Sequence, residues 1–211
     1  MRVNADAMTL YAVTDRTWVK DTTLMDQVKE ALEGGITFLQ LREKHLSKEE
    51  FIKEAREMKE LSKEYKVPFV INDNIEVALA VDADGVHIGQ DDMSVEEARK
   101  LLGEDKIIGA TAKTVEQAVE AWKEGADYLG VGAIYPTTTK VKTILTSTKM
   151  LADICKAVPI PVNAIGGLNA DNLDVLKGIP IAGICVVSAI MKADDPAQAA
   201  KILREKIEVG L

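Results

Sequence analysis

Short hydrophobic runs alternate along the chain with longer charged segments, and each run ends in glycine or in a small cluster of polar side chains. Eight runs are apolar at successive positions, which is typical of parallel strands covered on both faces. They are residues 9–14, 36–41, 68–72, 84–88, 107–111, 127–133, 161–165 and 181–187. The repeat predicts that the polar groups following the strands gather at one end of one structure.

The charged segments carry the spacing of helices and the signals that start and stop them. Three of them begin with the spacing of a capping box: Ser47 with Glu50, Ser94 with Glu97, and Thr114 with Gln117. From Ser47 to about Tyr65, apolar residues recur every three or four positions. Glycines at 34–35, 103 and 125 stand where such helices should end.

Eight strand–helix units without a linker or a break in composition predict an α/β protein, a single (β/α)8 TIM barrel over residues 1–211. An open, doubly wound sheet is the alternative. The chain has no P-loop pattern, and Gly130-Val131-Gly132 lacks the third glycine of a dinucleotide-binding loop. In a barrel the loops after the strands form the active-site face, and the polar clusters fall in those loops.

Composition narrows the class of partner and the compartment. The 211 residues are 47% hydrophobic but only 4% aromatic, so aliphatic side chains and Met must build the core. The net charge of −8 argues against a nucleic-acid partner or an anionic membrane surface. Cys155 and Cys185 have no CxxC partner, which indicates two buried thiols in a reducing cytosol.

No segment of the sequence predicts membrane insertion. The longest apolar run, 181–191, is shorter than the ~20 residues that cross a bilayer. No basic-then-apolar signal segment opens the chain. We therefore expect a cytoplasmic protein, and the sequence leaves its oligomeric state open, a homo-oligomer included.

The second predicted strand ends in a cationic cluster. Gln40, Arg42 and Lys44 alternate, so their side chains should point to the same side at the strand end. Two cations and an amide suit a phosphate or pyrophosphate next to a polar ring. The alternative is a solvated loop whose cations pair with Glu43.

Carboxylates follow the next two predicted strands. Asn72-Asp73 comes after the third strand, and Asp91-Asp92 comes after the fourth. Carboxylates on neighbouring strands can share one hard cation, and Mg2+ typically takes one or two of them together with water and phosphate oxygens. Asp residues in loops also form turns or cap helices, which is the alternative for Asp92.

The remaining polar clusters predict a second anion site. Thr111 ends the fifth strand, and the segment 136–140, PTTTK, supplies hydroxyl groups and a third cation, Lys140. Gly166-Gly167 and Val187-Ser188 end the seventh and eighth strands, where barrels often bind phosphate through backbone N–H groups and a helix N-terminus. Two anion sites on one face suggest two phosphorylated substrates.

The two histidines need a separate interpretation. His87 lies within the fourth strand and is predicted to be packed and hydrogen-bonded rather than catalytic. His45 adjoins the cationic cluster, but no partner for it is visible in the sequence.

Seven blocks of the chain, in order, resemble the signature blocks of the thiamin phosphate synthase family. They are residues 10–15, 34–44, 67–74, 83–93, 125–140, 164–169 and 186–190. The resemblance implies a (β/α)8 barrel and a transferase. The family joins an aminopyrimidine pyrophosphate (HMP-PP) to thiazole phosphate, with Mg2+, releasing pyrophosphate and giving thiamin phosphate.

The resemblance also implies roles for individual residues. The predicted contacts with HMP-PP are Gln40, Leu41, Arg42, Glu43, Lys44, Asn72, Thr111 and Lys140. The predicted contacts with thiazole phosphate are Thr137, Thr138, Thr139, Gly167, Val187 and Ser188. Asp73 and Asp92 would bind Mg2+, and Arg42, Lys44, Thr111 and Lys140 would be catalytic.

The chain departs from the family pattern at a few positions. Thr111 stands where serine is usual, Lys113 replaces a common histidine, and Asn74 stands where arginine is frequent. Residues 141–148 lack the usual glycine-containing turn. Two alternatives remain: a thiazole tautomerase, a related barrel that uses a histidine acid–base group, and a non-catalytic phosphate-binding barrel.

Overall fold

Eight parallel strands form a closed barrel in the computed structural model, which describes residues 3–137 and 144–211. In chain order they are β1 (Leu10–Val13), β2 (Phe38–Leu41), β3 (Phe69–Asn72), β4 (Gly85–Ile88), β5 (Ile107–Ala112), β6 (Tyr128–Gly132), β7 (Val162–Ile165) and β8 (Gly183–Val186). Each strand pairs with the next, and β8 pairs with β1 to close the ring. The predicted barrel is confirmed, and the open sheet is excluded.

Helices surround this barrel. Within the described residues they are α1 (Leu24–Glu33), α2 (Lys48–Glu64), α3 (Ile75–Ala80), α4 (Val95–Leu102), α5 (Val115–Lys123), α6 (Thr148–Ala157), α7 (Ser188–Met191) and α8 (Pro196–Gly210). The segment after β7 forms a 3-10 helix, Leu173–Leu176, instead of an α-helix. Its approach is rich in Asn and Asp, whose side chains bond the local backbone: Asn172 Oδ1 accepts from Asn169 N, and Asn169 Oδ1 accepts from Asp171 N.

The predicted helix starts are confirmed, with one difference in detail. Ser47 and Ser94 are the N-caps of α2 and α4, and each forms the full reciprocal box with the predicted glutamate. Thr114 caps α5 by accepting from Gln117 N. The Gln117 side chain, however, accepts from Lys113 N at 2.8 Å, so the returning half of the box is displaced by one residue.

Two hydrophobic layers follow from the alternation of side chains along the strands. On β1, Leu10 and Ala12 belong to the large cluster packed against the helices, whereas Tyr11 and Val13 belong to a smaller one inside the barrel. The inner cluster comprises Val3, Met8, Tyr11, Val13, Phe38, Val70, Ile107, Tyr128 and Cys185. Strands that are apolar on both faces are thus explained by burial on both faces.

Aromatic rings fill the lower part of the barrel. The centroids of Tyr11 and Phe38 are 4.8 Å apart, and those of Phe38 and Tyr128 are 5.4 Å apart, both edge to face. Gly109 on the neighbouring strand β5 leaves the space for one of these rings, because a Cβ there would overlap the ring of Tyr128. Three of the nine residues of the inner cluster are thus aromatic rings packed edge to face.

Both cysteines are free thiols, as predicted, but only one is fully buried. Cys185 lies inside the barrel, and Cys155 is half-buried on α6. Burial raises the pKa of Cys155 to about 11, and it raises the pKa of Cys185 further above the ordinary value. Both are therefore protonated at neutral pH, which makes them poor nucleophiles.

No helix in the described part of the chain combines the length and the apolar character needed to cross a membrane.

A buried ion pair joins two loops at the amino-terminal end of the barrel. The Arg99 guanidinium donates to Asp127 Oδ2 at 2.7 Å, to Gly125 O at 2.8 Å and to Gly103 O at 2.9 Å. The same Asp127 oxygen accepts from Ile108 N at 2.9 Å. Side-chain exposure is 10% for Arg99 and 6% for Asp127, so both charges are largely shielded from water.

We expect Arg99→Met to lower the free energy of unfolding by about 3–5 kcal/mol, because the Asp127 carboxylate is left buried without its counter-charge. Denaturant titration followed by circular dichroism measures this change. Lys100→Met is the matched control, since it removes the neighbouring cation, whose pair with Glu96 is exposed. Equal midpoints for Arg99→Met and the wild type would contradict a stabilising role for the pair.

Candidate active site

Two adjacent cavities open at the carboxyl ends of the strands, where the sequence places the polar clusters. The larger, about 310 Å³, is lined mainly by residues of β1 to β5 and the loops that follow them. The smaller, about 150 Å³, is lined mainly by residues at the ends of β5 to β8. They share the four lining residues Thr111, Ile165, Cys185 and Val187, so the two cavities adjoin.

Alternation at the end of β2 determines which residues of the cationic cluster face the larger cavity. Gln40, Arg42 and Lys44 line it, as their spacing predicts. Leu41 is fully buried in the outer hydrophobic layer, and Glu43 is buried against Arg16. The side chains of these last two residues therefore do not line this cavity.

A chain of hydrogen bonds runs from β2 across the barrel interior to β5. Gln40 Nε2 donates to the hydroxyl of Tyr11, which lies 2.9 Å from the hydroxyl of Tyr128. His87 Nδ1 lies 3.1 Å from the Tyr128 hydroxyl, and its Nε2 lies 3.1 Å from Thr111 Oγ1. His87 is thus packed and hydrogen-bonded, as predicted, and its ring also lines the larger cavity.

The sequence analysis missed two tyrosines of this chain: Tyr11 lines the larger cavity, and Tyr128 connects Tyr11 to His87. Both lie within apolar runs, where they resemble ordinary core residues. Burial raises the pKa of both phenols well above the ordinary value, so both hydroxyl groups keep their protons. Alternation along the strands could have identified them, because it places both tyrosines on the inward-facing side, as it does Gln40.

Two carboxyl groups meet at the rim of the larger cavity. Asp73 takes a left-handed backbone conformation, φ 61°, immediately after β3, and its side chain receives a hydrogen bond from Lys44 Nζ. Asp92 Oδ2 accepts from Gly89 N at 2.7 Å, so Asp92 also closes the turn that was its alternative role. Burial raises the pKa of Asp92, and the adjoining Asp73 carboxyl raises it further. A positive charge between them would relieve that repulsion.

The donor set fits magnesium held jointly by protein and substrate. Within the described residues no group of three or more His, Cys, Asp or Glu side chains is arranged to hold a metal ion. A pair of carboxylates beside a cationic cavity is what Mg2+ uses when substrate phosphate and water complete its ligands. Asn72 and Asp91 line the same cavity.

The smaller cavity has two adjacent glycines in its lining. Gly166 and Gly167 have φ values of 102° and 67°, and a Cβ on Gly167 would lie 2.6 Å from Tyr135 Cβ. Thr137, Val187, Ser188 and Lys113 also line it. The helix that starts at Ser188 is a single turn and the segment after β7 is a 3-10 helix, so the expected helix dipole is weak.

Three of the predicted site residues, Thr138, Thr139 and Lys140, lie outside the described residues. Their assignment to the sixth loop stays a prediction. The described Thr137 lines the smaller cavity immediately before them.

The sequence and the structure were compared with known proteins. The sequence matches the model of the family described as thiamine monophosphate synthase over residues 10–190. Thiamine-phosphate synthase 2 of Streptococcus pneumoniae serotype 4 is 48% identical over 193 residues, which cover 92% of each chain. Thiamine-phosphate synthase of Clostridium tetani is 47% identical over 195 residues, covering 92% of this chain and 93% of that protein.

A solved structure agrees with these relatives in both fold and sequence. The thiamine phosphate pyrophosphorylase from Pyrococcus furiosus superimposes with a TM-score of 0.88 at 39% identity, covering 97% of this chain and 98% of its own. The family match spans most of the chain, including every described residue that lines the two cavities. The chain therefore belongs to the thiamine monophosphate synthase family.

Proposed function

We propose that this chain is a thiamine-phosphate synthase, a transferase that condenses HMP-PP with thiazole phosphate and releases pyrophosphate. Its family and its relatives at close to half identity support the activity. The single observation that supports the two-substrate reaction is a pair of cavities that adjoin at four shared lining residues. Two anionic substrates held in the adjoining cavities would bring their reacting atoms together at that junction.

The larger cavity is proposed to bind HMP-PP. Arg42 and Lys44 provide its cations, and Gln40 and Asn72 provide amide groups suited to a polar ring. Thr111 lies at the boundary with the smaller cavity, where the pyrimidine methylene carbon would need to be. Lys140 is proposed to add a third cation from the sixth loop. Contacts of Leu41 and Glu43 with this substrate would have to involve their main-chain atoms.

Mg2+ is proposed to bind at Asp73 and Asp92. When bound there it would neutralise the pyrophosphate and favour its departure as a leaving group. Lys44, which pairs with Asp73 in this structure, would then be available to the pyrophosphate oxygens.

The smaller cavity is proposed to bind thiazole phosphate. Gly167, Val187 and Ser188 are its proposed phosphate contacts, together with Thr137 and the following residues Thr138 and Thr139. Glycine backbone can approach a phosphate closely, because no side chain intervenes. The predominantly apolar remainder of the wall, Ala133 and Leu168 among it, suits a thiazole ring.

The proposed mechanism is dissociative. The bond between the pyrimidine methylene carbon and the pyrophosphate oxygen breaks, and its electron pair leaves with the pyrophosphate. Arg42, Lys44 and Lys140 would stabilise the charge that develops there. The thiazole nitrogen then donates its lone pair to the methylene carbon, forming the new C–N bond. No protein nucleophile is required, in agreement with the protonated state of the buried Cys185.

The direct test is an assay with both substrates. Thiamin phosphate and pyrophosphate should form in equal amounts when HMP-PP, thiazole phosphate and Mg2+ are supplied together. Omission of any one of the three should abolish product. A chain that instead isomerises a thiazole carboxylate phosphate without pyrophosphate release would support the tautomerase alternative, and the synthase proposal would fail.

We expect Asp73→Asn to weaken activation by Mg2+ by at least roughly tenfold, the loss typical of a disturbed metal site. Asparagine tolerates the left-handed backbone of this position, so the barrel should stay folded. Activity measured against Mg2+ concentration gives the result. Asp82→Asn is the matched control: Asp82 also has a positive φ, 53°, but pairs with Lys59 and Lys106 away from both cavities. Equal Mg2+ dependence in the two variants would refute the metal assignment.

We expect Gly167→Ala to raise KM for thiazole phosphate at least about tenfold and to leave KM for HMP-PP close to the wild-type value. The added methyl group would press on the loop at Tyr135 and Pro136 that lines the smaller cavity. Steady-state kinetics with each substrate varied in turn measures both constants. A loss of about 1.4 kcal/mol in binding corresponds to tenfold.

Gly178→Ala serves as the control for this variant. Its φ of 75° imposes the same backbone strain, but a Cβ there meets nothing within 4 Å. Both variants should therefore lose stability, and only Gly167→Ala should lose affinity for thiazole phosphate. Parallel changes in both KM values for Gly167→Ala would argue against a separate phosphate site.

A further inference from the structure

Glu43 lies within the segment that lines the larger cavity but faces away from it. Its side chain is 3% exposed, although it is a carboxylate in a loop. Arg16 NH2 donates to Glu43 Oε1 at 3.0 Å, and Arg16 Nε donates to the same oxygen at 3.2 Å. A buried carboxylate with a two-point contact to arginine is fixed in orientation.

The same arginine joins Glu43 to the helix behind it. Arg16 NH2 also donates to Glu54 Oε1 on α2, and Glu54 Oε2 is buried without a hydrogen-bond partner. Two shielded carboxyl groups thus share one guanidinium, whose side chain is 44% exposed. Burial raises the pKa of Glu43, and the contacts with Glu54 add to the rise, whereas Arg16 opposes it. The arrangement ties β2, the loop after β1 and α2 together.

Further contacts connect this loop directly to the inward-facing residues. Thr14 N donates to Gln40 O at 3.0 Å, and Arg42 N donates to Thr14 Oγ1 at 2.9 Å. Arg42 NH1 also lies 3.7 Å from Asp15 Oδ2. The loop after β1 therefore holds the end of β2 by three sets of contacts. Thr14 bonds to its backbone, Arg16 bonds to the outward Glu43, and Asp15 lies beside the inward Arg42.

We propose that Glu43 is a positioning residue that, together with Arg16 and Glu54, orients Arg42 and Lys44 toward the pyrophosphate. This inference rests on the proposed function of the larger cavity. It assigns the side chain of Glu43 a role through its neighbours, separate from any main-chain contact of Glu43 with the substrate.

The physical reason is the flexibility of the two cations. Arginine and lysine side chains lose considerable conformational entropy when they are fixed. Fixing the backbone that carries them has an additional entropic cost. Arg42 and Lys44 line the cavity while Glu43 between them points away from it, so fixing Glu43 restricts the direction of both neighbours. Anchoring Glu43 thereby presents Arg42 and Lys44 to the same cavity before substrate arrives.

The test measures binding of inorganic pyrophosphate with Mg2+ by calorimetry, so it needs no turnover. Glu43→Gln and Arg16→Met are each expected to weaken pyrophosphate binding roughly tenfold, the usual cost of losing an outer-shell partner. The double variant should be no weaker than the worse single variant, because both changes release the same anchor. KM for thiazole phosphate should stay at the wild-type value in all three.

Two further variants separate positioning from general destabilisation. Arg16→Lys keeps a cation beside Glu43 and Glu54 and should recover part of the pyrophosphate affinity. Arg204→Met removes an arginine whose pair with Glu208 lies on the surface of α8, and its affinity should equal that of the wild type. Melting temperatures are recorded for every variant.

Three outcomes would overturn the inference. If Glu43→Gln weakens binding and Arg16→Met does not, Glu43 contacts the ligand directly. If the variants melt earlier yet bind pyrophosphate as the wild type does, the cluster serves stability alone. If the wild type itself binds no pyrophosphate, the proposed pyrophosphate site fails and this inference fails with it.

Discussion

Adjacent residues of an extended strand project to opposite sides, and the end of β2 depends on this constraint more than any other part of the barrel. Gln40, Arg42 and Lys44 face the larger cavity, while Leu41 is buried under the helices and Glu43 is buried against Arg16. A shift of one residue would reverse every side chain. The register of β2 therefore determines both which residues pack under the helices and which residues face the cavity.

The barrel interior extends the same principle across five strands. The polar chain from Gln40 through the two tyrosines and His87 to Thr111 reaches both cavities, because Thr111 lines each of them. Every link lies between residues far apart in sequence, and each hydroxyl or ring nitrogen has a partner that is itself held by another. Such a network gives the floor of the larger cavity a defined shape.

Local signals made most of the fold predictable. The eight strands, the caps at Ser47 and Ser94, and the inward alternation of the β2 cations depend on residues within a few positions of each other. The 3-10 helix after β7 was missed, because Asn and Asp side chains compete there with the helix. The anchor between Arg16 and Glu43, and the hydrogen bonds of the inward-facing Tyr11, depend on tertiary contacts that leave no periodic trace in the sequence. The contact of Glu43 with the substrate, which the family resemblance implies, stays a prediction.

The missing side chain at Gly109 restricts how this barrel can change over time. A Cβ at this position would overlap the Tyr128 ring. The ring therefore fills the space that a side chain at position 109 would need. Substitutions at the two positions are consequently ordered: Tyr128 must become smaller before residue 109 can gain a side chain. A lineage that takes the steps in the other order passes through an overpacked interior. The residues that evolution can place at position 109 therefore depend on the size of the side chain at position 128 on the next strand.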